Sequence, residues 1–120
     1  MKKILIVEDS KSYLTVLSQA LTGNGFDVTE AIDGQEGLIA VKKETPDLIL
    51  LDIEMPKMDG ITMASKLKES GINVPIIFLT NMGDLKHIGD AAETATDYII
   101  KSEITMDGII ERVKERLNIK

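Results

Sequence analysis

Pro46-Asp47-Leu48-Ile49-Leu50-Leu51-Asp52-Ile53-Glu54-Met55-Pro56-Lys57-Met58-Asp59-Gly60 is the stretch whose pattern decides the fold. Leu48 to Leu51 is a continuous aliphatic run, too short for a helix and without polar alternation. Such a run reads as a strand buried on both faces, which belongs in a parallel sheet covered by helices. The run stops on an acid, Asp52, and Pro56 and Gly60 then mark a loop. A strand has no structural need of an acid at the end of so apolar a run, so Asp52 is the first candidate for chemistry.

Toward the N-terminus, Gly34 to Glu44 is helical, with Leu38 and Val41 inward. Phe26 to Ala31 is a more polar strand, expected at a sheet edge. Leu14, Leu17 and Leu21 form a helical stripe that ends at Gly23-Asn24-Gly25, and Ile4 to Val7 is another aliphatic strand. Toward the C-terminus, Ile61, Ala64 and Leu67 make a helical stripe ended by Gly71. Pro75 introduces the strand Ile76 to Leu79. Leu85, Ile88, Ala92 and Ala95 return at helical spacing, and Tyr98 to Ile100 is the last strand. Ile109 or Ile110, Val113 and Leu117 line a final helix whose charges, from Glu111 to Arg116, point outward.

Strict strand–helix alternation with short connections predicts an α/β fold, a five-stranded doubly wound parallel sheet with five helices. Five strands are too few for an eight-stranded barrel, and right-handed crossovers leave few topologies. Residues 1–120 are expected to form one domain.

Composition narrows the function. The chain has 120 residues, no Cys and a formal charge of −6. The lack of Cys excludes disulfides, thiolate zinc sites and a Cys nucleophile, and fits a reducing compartment. With 20 acidic against 14 basic residues, direct nucleic-acid binding is not expected. No window approaches the ~20 apolar residues of a membrane span. His87 is the sole histidine, which excludes a His-rich metal site.

In an open α/β sheet, ligands bind outside the carboxyl ends of the strands. The residues just there are Glu8 and Asp9, then Asp52, Thr80 and Lys101. Three carboxylates in one pocket raise one another's pKa, and one Lys compensates only part of that. A hard divalent cation with oxygen ligands, such as Mg2+, would do the rest. A metal, a Lys and a hydroxyl around one free carboxylate suit phosphoryl transfer onto that carboxylate, giving an acyl phosphate.

At these residues the chain resembles the response-regulator receiver family. The resemblance runs from Lys3-Ile4-Leu5-Ile6-Val7-Glu8-Asp9 through Asp33-Gly34-Gln35-Glu36-Gly37-Leu38, the Pro46 to Gly60 stretch and Pro75-Ile76-Ile77-Phe78-Leu79-Thr80 to Tyr98-Ile99-Ile100-Lys101. It implies a flavodoxin-like sheet of order 2-1-3-4-5. It implies that Asp52 takes a phosphoryl group from a histidine kinase or phosphotransfer protein. Glu8, Asp9, Asp52 and the backbone carbonyl of Glu54 would hold Mg2+, and Lys101 would bind a phosphoryl oxygen. Thr80 would hydrogen-bond the phosphoryl group, and Tyr98 would change rotamer with it. The face of the fourth helix, fifth strand and fifth helix would carry the signal to an output partner. The family also implies a cytoplasmic phosphorelay component that promotes its own phosphorylation and dephosphorylation and has no separate substrate. No sequence is left over for an output domain, so the expectation is action through a partner, or a receiver cut from a longer protein.

Three positions depart from the family pattern. Ser102 stands where receivers usually have Pro, Asn81 where they have a small residue, and Thr94 where they have Gly. A cis bond before a residue other than Pro costs about 2.5–4 kcal/mol. The Lys101–Ser102 bond is therefore expected to be trans, with the flexible Lys101 stem absorbing the shift.

Taken singly, each residue also has an ordinary structural role. Glu8 and Asp9 are solvated loop charges before a helix capped by Asp9 or Ser10. Thr80 is a strand-end hydroxyl bonded to backbone, Lys101 a surface lysine, and Tyr98 a packing residue. Met55, Met58, Met63 and Met82 fill gaps or loops. Two other functions compete with the switch. One is a phosphatase resembling the haloacid-dehalogenase type, for which Asp52-Ile53-Glu54 has the acid spacing but on the third strand instead of the first. The other is a non-phosphorylated interaction module that keeps only the fold.

Overall fold

The computed structural model describes residues 1–81 and 97–119. Its parallel sheet runs β1 (Lys3–Val7), β2 (Asp27–Ala31), β3 (Leu48–Asp52), β4 (Ile76–Thr80) and β5 (Asp97–Ile100), in the order β2-β1-β3-β4-β5. The helices among the described residues are α1 (Lys11–Gly23), α2 (Gly34–Lys43), α3 (Gly60–Glu69) and α4 (Met106–Arg116). The five-helix expectation is thus met at four positions. The helix expected on Leu85, Ile88, Ala92 and Ala95 falls at 82–96, outside the described residues, as do His87, Met82 and Thr94.

The aliphatic strands behave as their composition requires. Leu48 to Leu51 and Ile76 to Thr80 are buried at every position, because helices cover both faces. Side chains alternate between the two faces. Ile4, Ile6, Leu48 and Leu50 meet Leu14, Leu17, Leu21, Ile109 and Val113 on one side. Leu5, Val7, Ile49 and Leu51 meet Val41, Met63, Ala64 and Leu67 on the other. Met63 is thus a core residue, and both Ile109 and Ile110 are buried. β2 is more polar than the other strands, with only Ala31 buried, and lies at the edge, as expected.

Local sequence sets the helix starts near the strand ends. Asp33 caps α2 by accepting from the Glu36 backbone N–H at 2.8 Å, and Glu36 returns a bond from the Ile32 N–H at 3.2 Å. Asp59 caps α3 by accepting from the Thr62 N–H at 2.7 Å. Ser10 occupies the N-cap position of α1 but makes no side-chain cap bond. Gly60 is required by contact: a Cβ there would stand 2.2 Å from the Asp52 carbonyl oxygen. The loop after β3 therefore folds tightly back onto the Asp52 backbone, and the Gly60 N–H donates to the Ile53 carbonyl at 2.9 Å.

Candidate functional site

Each site residue is anchored by the backbone of a strand end. Asp52 is the last residue of β3, in register with Leu79. Glu8 follows β1 directly, and its N–H donates to the Ala31 carbonyl at 3.0 Å, extending the ladder by one step. Lys101 follows β5 and opens a 3-10 turn over Lys101–Glu103. No cis peptide bond occurs among the described residues, so Lys101–Ser102 is trans. The stem nevertheless delivers the ammonium to the acids, as expected.

There the ammonium pairs with Glu8 Oε1, and Asp52 Oδ2 lies 3.6 Å from Nζ. Glu8 uses its second oxygen to accept from the Ser10 N–H at 3.0 Å, which also holds the loop between β1 and α1. Glu8 is fully buried and both of its oxygens are engaged. Asp52 differs: it is 3% exposed, and its Oδ1 is buried with no hydrogen-bond partner. Burial, and next the charge of Glu8, push the Asp52 carboxyl up to about 8, against the pull of Lys101. The direction of this shift favours the protonated form of Asp52 wherever no cation balances the acids.

Glu8, Asp9 and Asp52 each offer a carboxylate oxygen, and these oxygens lie within 4.8 Å of one another. An octahedral ion with ligands at about 2.1 Å spans about 4.2 Å between opposite oxygens, so small side-chain adjustments close this set on Mg2+. The unpartnered Asp52 Oδ1 and the surplus of acids over the single ammonium fit such an ion. Asp9 is exposed, which leaves a side open for water and for an incoming group. Glu54 lies in the loop two positions after Asp52 with its side chain exposed; a ligand there would be its carbonyl.

Other expected residues lie around this cluster. Thr80 ends β4 fully buried, with its hydroxyl donating to the Asn81 carbonyl at 2.9 Å. Asn81 is exposed. Tyr98 is 43% exposed on the edge strand and paired in register with Phe78. Its carbonyl accepts from Arg112 at 3.2 Å, and the same guanidinium pairs with Asp97. Of the face expected to carry the output, only β5 and α4 fall within the described residues.

One pocket residue was not anticipated from the sequence. The Tyr13 ring lies against Lys101, with Nζ 4.6 Å from its centroid. The available signal was its position in α1, one helical turn after Asp9 and beside the Leu14 stripe. A tyrosine there is equally consistent with packing, so spacing did not single it out.

The profile of the family described as "Response regulator receiver domain" matches residues 4–114. The sporulation initiation phosphotransferase F of Bacillus subtilis is 33% identical over 119 residues, which cover 99% of this chain and 96% of that protein. The alkaline phosphatase synthesis transcriptional regulatory protein PhoP of the same organism is 44% identical over 79 residues, 66% of this chain and 33% of that protein. The chain likewise spans less than half of other transcriptional regulators that it matches, about 41–42% of their length. Among solved structures, a CheY-like response regulator receiver domain protein from Methanospirillum hungatei superposes with a TM-score of 0.91 at 29% identity, over 98% of this chain and 94% of that one. No helix among the described residues is long and apolar enough to cross a membrane.

Proposed function

The chain belongs to the response-regulator receiver domain family, the switches of two-component signalling, and we propose that it is a phosphorylation-dependent switch with Asp52 as phosphoacceptor. The observation that carries this is Asp52 itself: a buried carboxyl at a strand end, one oxygen facing Lys101 and the other without a partner. A purely structural acid would have its oxygens satisfied, as Glu8 has.

Asp52 attacks the phosphorus of a phosphohistidine on a kinase or phosphotransfer partner. An O–P bond forms, the N–P bond breaks, and the departing imidazole leaves with the electron pair and is protonated by solvent. Lys101, already 3.6 Å from Oδ2, meets the charge on a transferring oxygen. Glu8 orients Lys101 from below. Glu8, Asp9, Asp52 and the Glu54 carbonyl would hold Mg2+, whose charge favours the ionised, nucleophilic form of Asp52 and neutralises phosphoryl oxygens. Thr80 would exchange its bond to the Asn81 carbonyl for one to the phosphoryl group, and Tyr98 would respond at the edge strand. The protein itself promotes both gain and loss of the phosphoryl group and needs no other substrate. Its output would run through the β5–α4 side to a partner protein in the cytoplasm.

Incubation with Mg2+ and a small phosphodonor, followed by intact mass, tests this. One phosphoryl should add to the wild type and none to Asp52→Asn. Equal uptake by both would place the acceptor elsewhere. No uptake by either, with the donor intact, would favour the interaction-module function.

A further inference from the structure

The Lys101 ammonium is enclosed on three sides. Glu8 Oε1 pairs with it, Asp52 Oδ2 lies 3.6 Å away, and the Tyr13 ring lies 4.6 Å from Nζ to centroid. An ammonium over an aromatic face within about 6 Å is attracted by the ring quadrupole, most strongly where water is excluded. Here the Lys101 side chain is only 14% exposed. The Tyr13 hydroxyl is itself buried and makes no hydrogen bond, so its link to Lys101 is through the ring face.

We propose that Tyr13 is a positioning residue of the phosphoryl site, its ring face holding the Lys101 ammonium between Glu8 and Asp52. The long Lys101 stem has four methylenes and many rotamers. Two acids fix the direction in which its charge is drawn but leave the α1 side open to a swing. The Tyr13 ring closes that side. Burial and the neighbouring acids raise the Tyr13 hydroxyl to about 12, so the ring stays a neutral phenol and does not become a competing ion-pair partner. The kinetic consequence rests on the phosphoacceptor function proposed above; the placement of Lys101 does not.

Three variants of the full chain separate ring from hydroxyl: Tyr13→Phe keeps the ring, while Tyr13→Met and Tyr13→Leu keep apolar volume without it. The first readout is the NMR shift of the Lys101 ε-methylene protons in 13C-lysine-labelled protein. The ring current should displace these protons upfield in wild type and Tyr13→Phe, and the displacement should vanish in the Met or Leu variant, whichever folds. The second readout is the rate of phosphoryl uptake from a small phosphodonor with Mg2+, expected to be close to wild type in Tyr13→Phe and roughly fivefold slower without the ring. Loss of rate without a return of the Lys101 shift would overturn the proposal, as would an unchanged rate in a ring-free variant. If the wild type takes up no phosphoryl group, the phosphoacceptor function fails, and the Lys101 shift alone decides the placement.

Discussion

The middle and the ends of β1 and β3 obey opposite rules, although they are one residue apart. Ile4 to Val7 and Leu48 to Leu51 are each at most 1% exposed and packed by helices on both faces. Directly after them, Glu8 and Asp52 are just as buried, yet one carboxyl oxygen has no partner and the acids outnumber the ammonium that faces them. The aliphatic segment supplies stability; the strand end stores unfavourable charge that a ligand can relieve. Closely packed neighbours allow this because the cost at the ends is small against the burial along the strands.

The contrast predicts effects of opposite sign. The largest is in the core: Leu50→Ala should lose about 3 kcal/mol, seen as a fall in Tm of roughly 10 °C. Next, Asp52→Asn should stabilise the metal-free protein by about 2 kcal/mol, because it removes a carboxyl whose ionised form burial and Glu8 disfavour in the folded state. A clear fall in Tm for this variant would break the contrast by showing Asp52 to be a satisfied structural group.

The same group sets a pH slope. The folded-state carboxyl of Asp52 is raised from 3.8 to about 8, so between these values the folded protein holds a proton that the unfolded chain has lost. Stability from this group is full below the unfolded value and falls as pH rises through the folded one. Metal-free wild type should therefore melt lower at pH 8 than at pH 5, and Asp52→Asn should flatten that slope and lose its advantage near pH 4.

Mg2+ at roughly ten times its dissociation constant should raise wild-type stability by about 1.4 kcal/mol. Asp9→Ala should remove most of that gain, and titration by NMR should place the shifts at residues 8–9, 52–54 and 101. The smallest effect concerns the loop between the two regimes. Lys57 has φ of 66°, a left-handed backbone that costs a side chain energy, and its partner Asp33 lies 3.9 Å away. Lys57→Gly should stabilise by about 0.5 kcal/mol in chemical denaturation, since the pair is long and its Lys57 end is solvent-exposed. A loss of 1 kcal/mol or more, by the ordinary scale of cap and loop effects, would show that this pair tethers the loop to α2.

Sequence patterning by itself determined the parallel sheet and its helical cover. Runs such as Ile4 to Val7 and Leu48 to Leu51 admit burial on both faces and little else. It also determined which residues end the strands, because an acid, a hydroxyl or an ammonium after an apolar run is visible without coordinates. Ser102 sufficed to predict the trans bond, since the tertiary amide that makes cis accessible is absent. Pattern could not say how the strand ends face one another. Lys101 and Glu8 are 93 residues apart, and β3 and β4 lie between β5 and β1 in the sheet, so their contact depends on the Lys101 side chain reaching across the strand ends. The engagement of both Glu8 oxygens, the unpartnered oxygen of Asp52, the ring of Tyr13 against Lys101 and the need for Gly60 beneath Asp52 were decided by tertiary structure alone. Periodicity is a property of neighbours along the chain. Contact between strand ends depends on crossovers and side-chain reach, which no local pattern encodes.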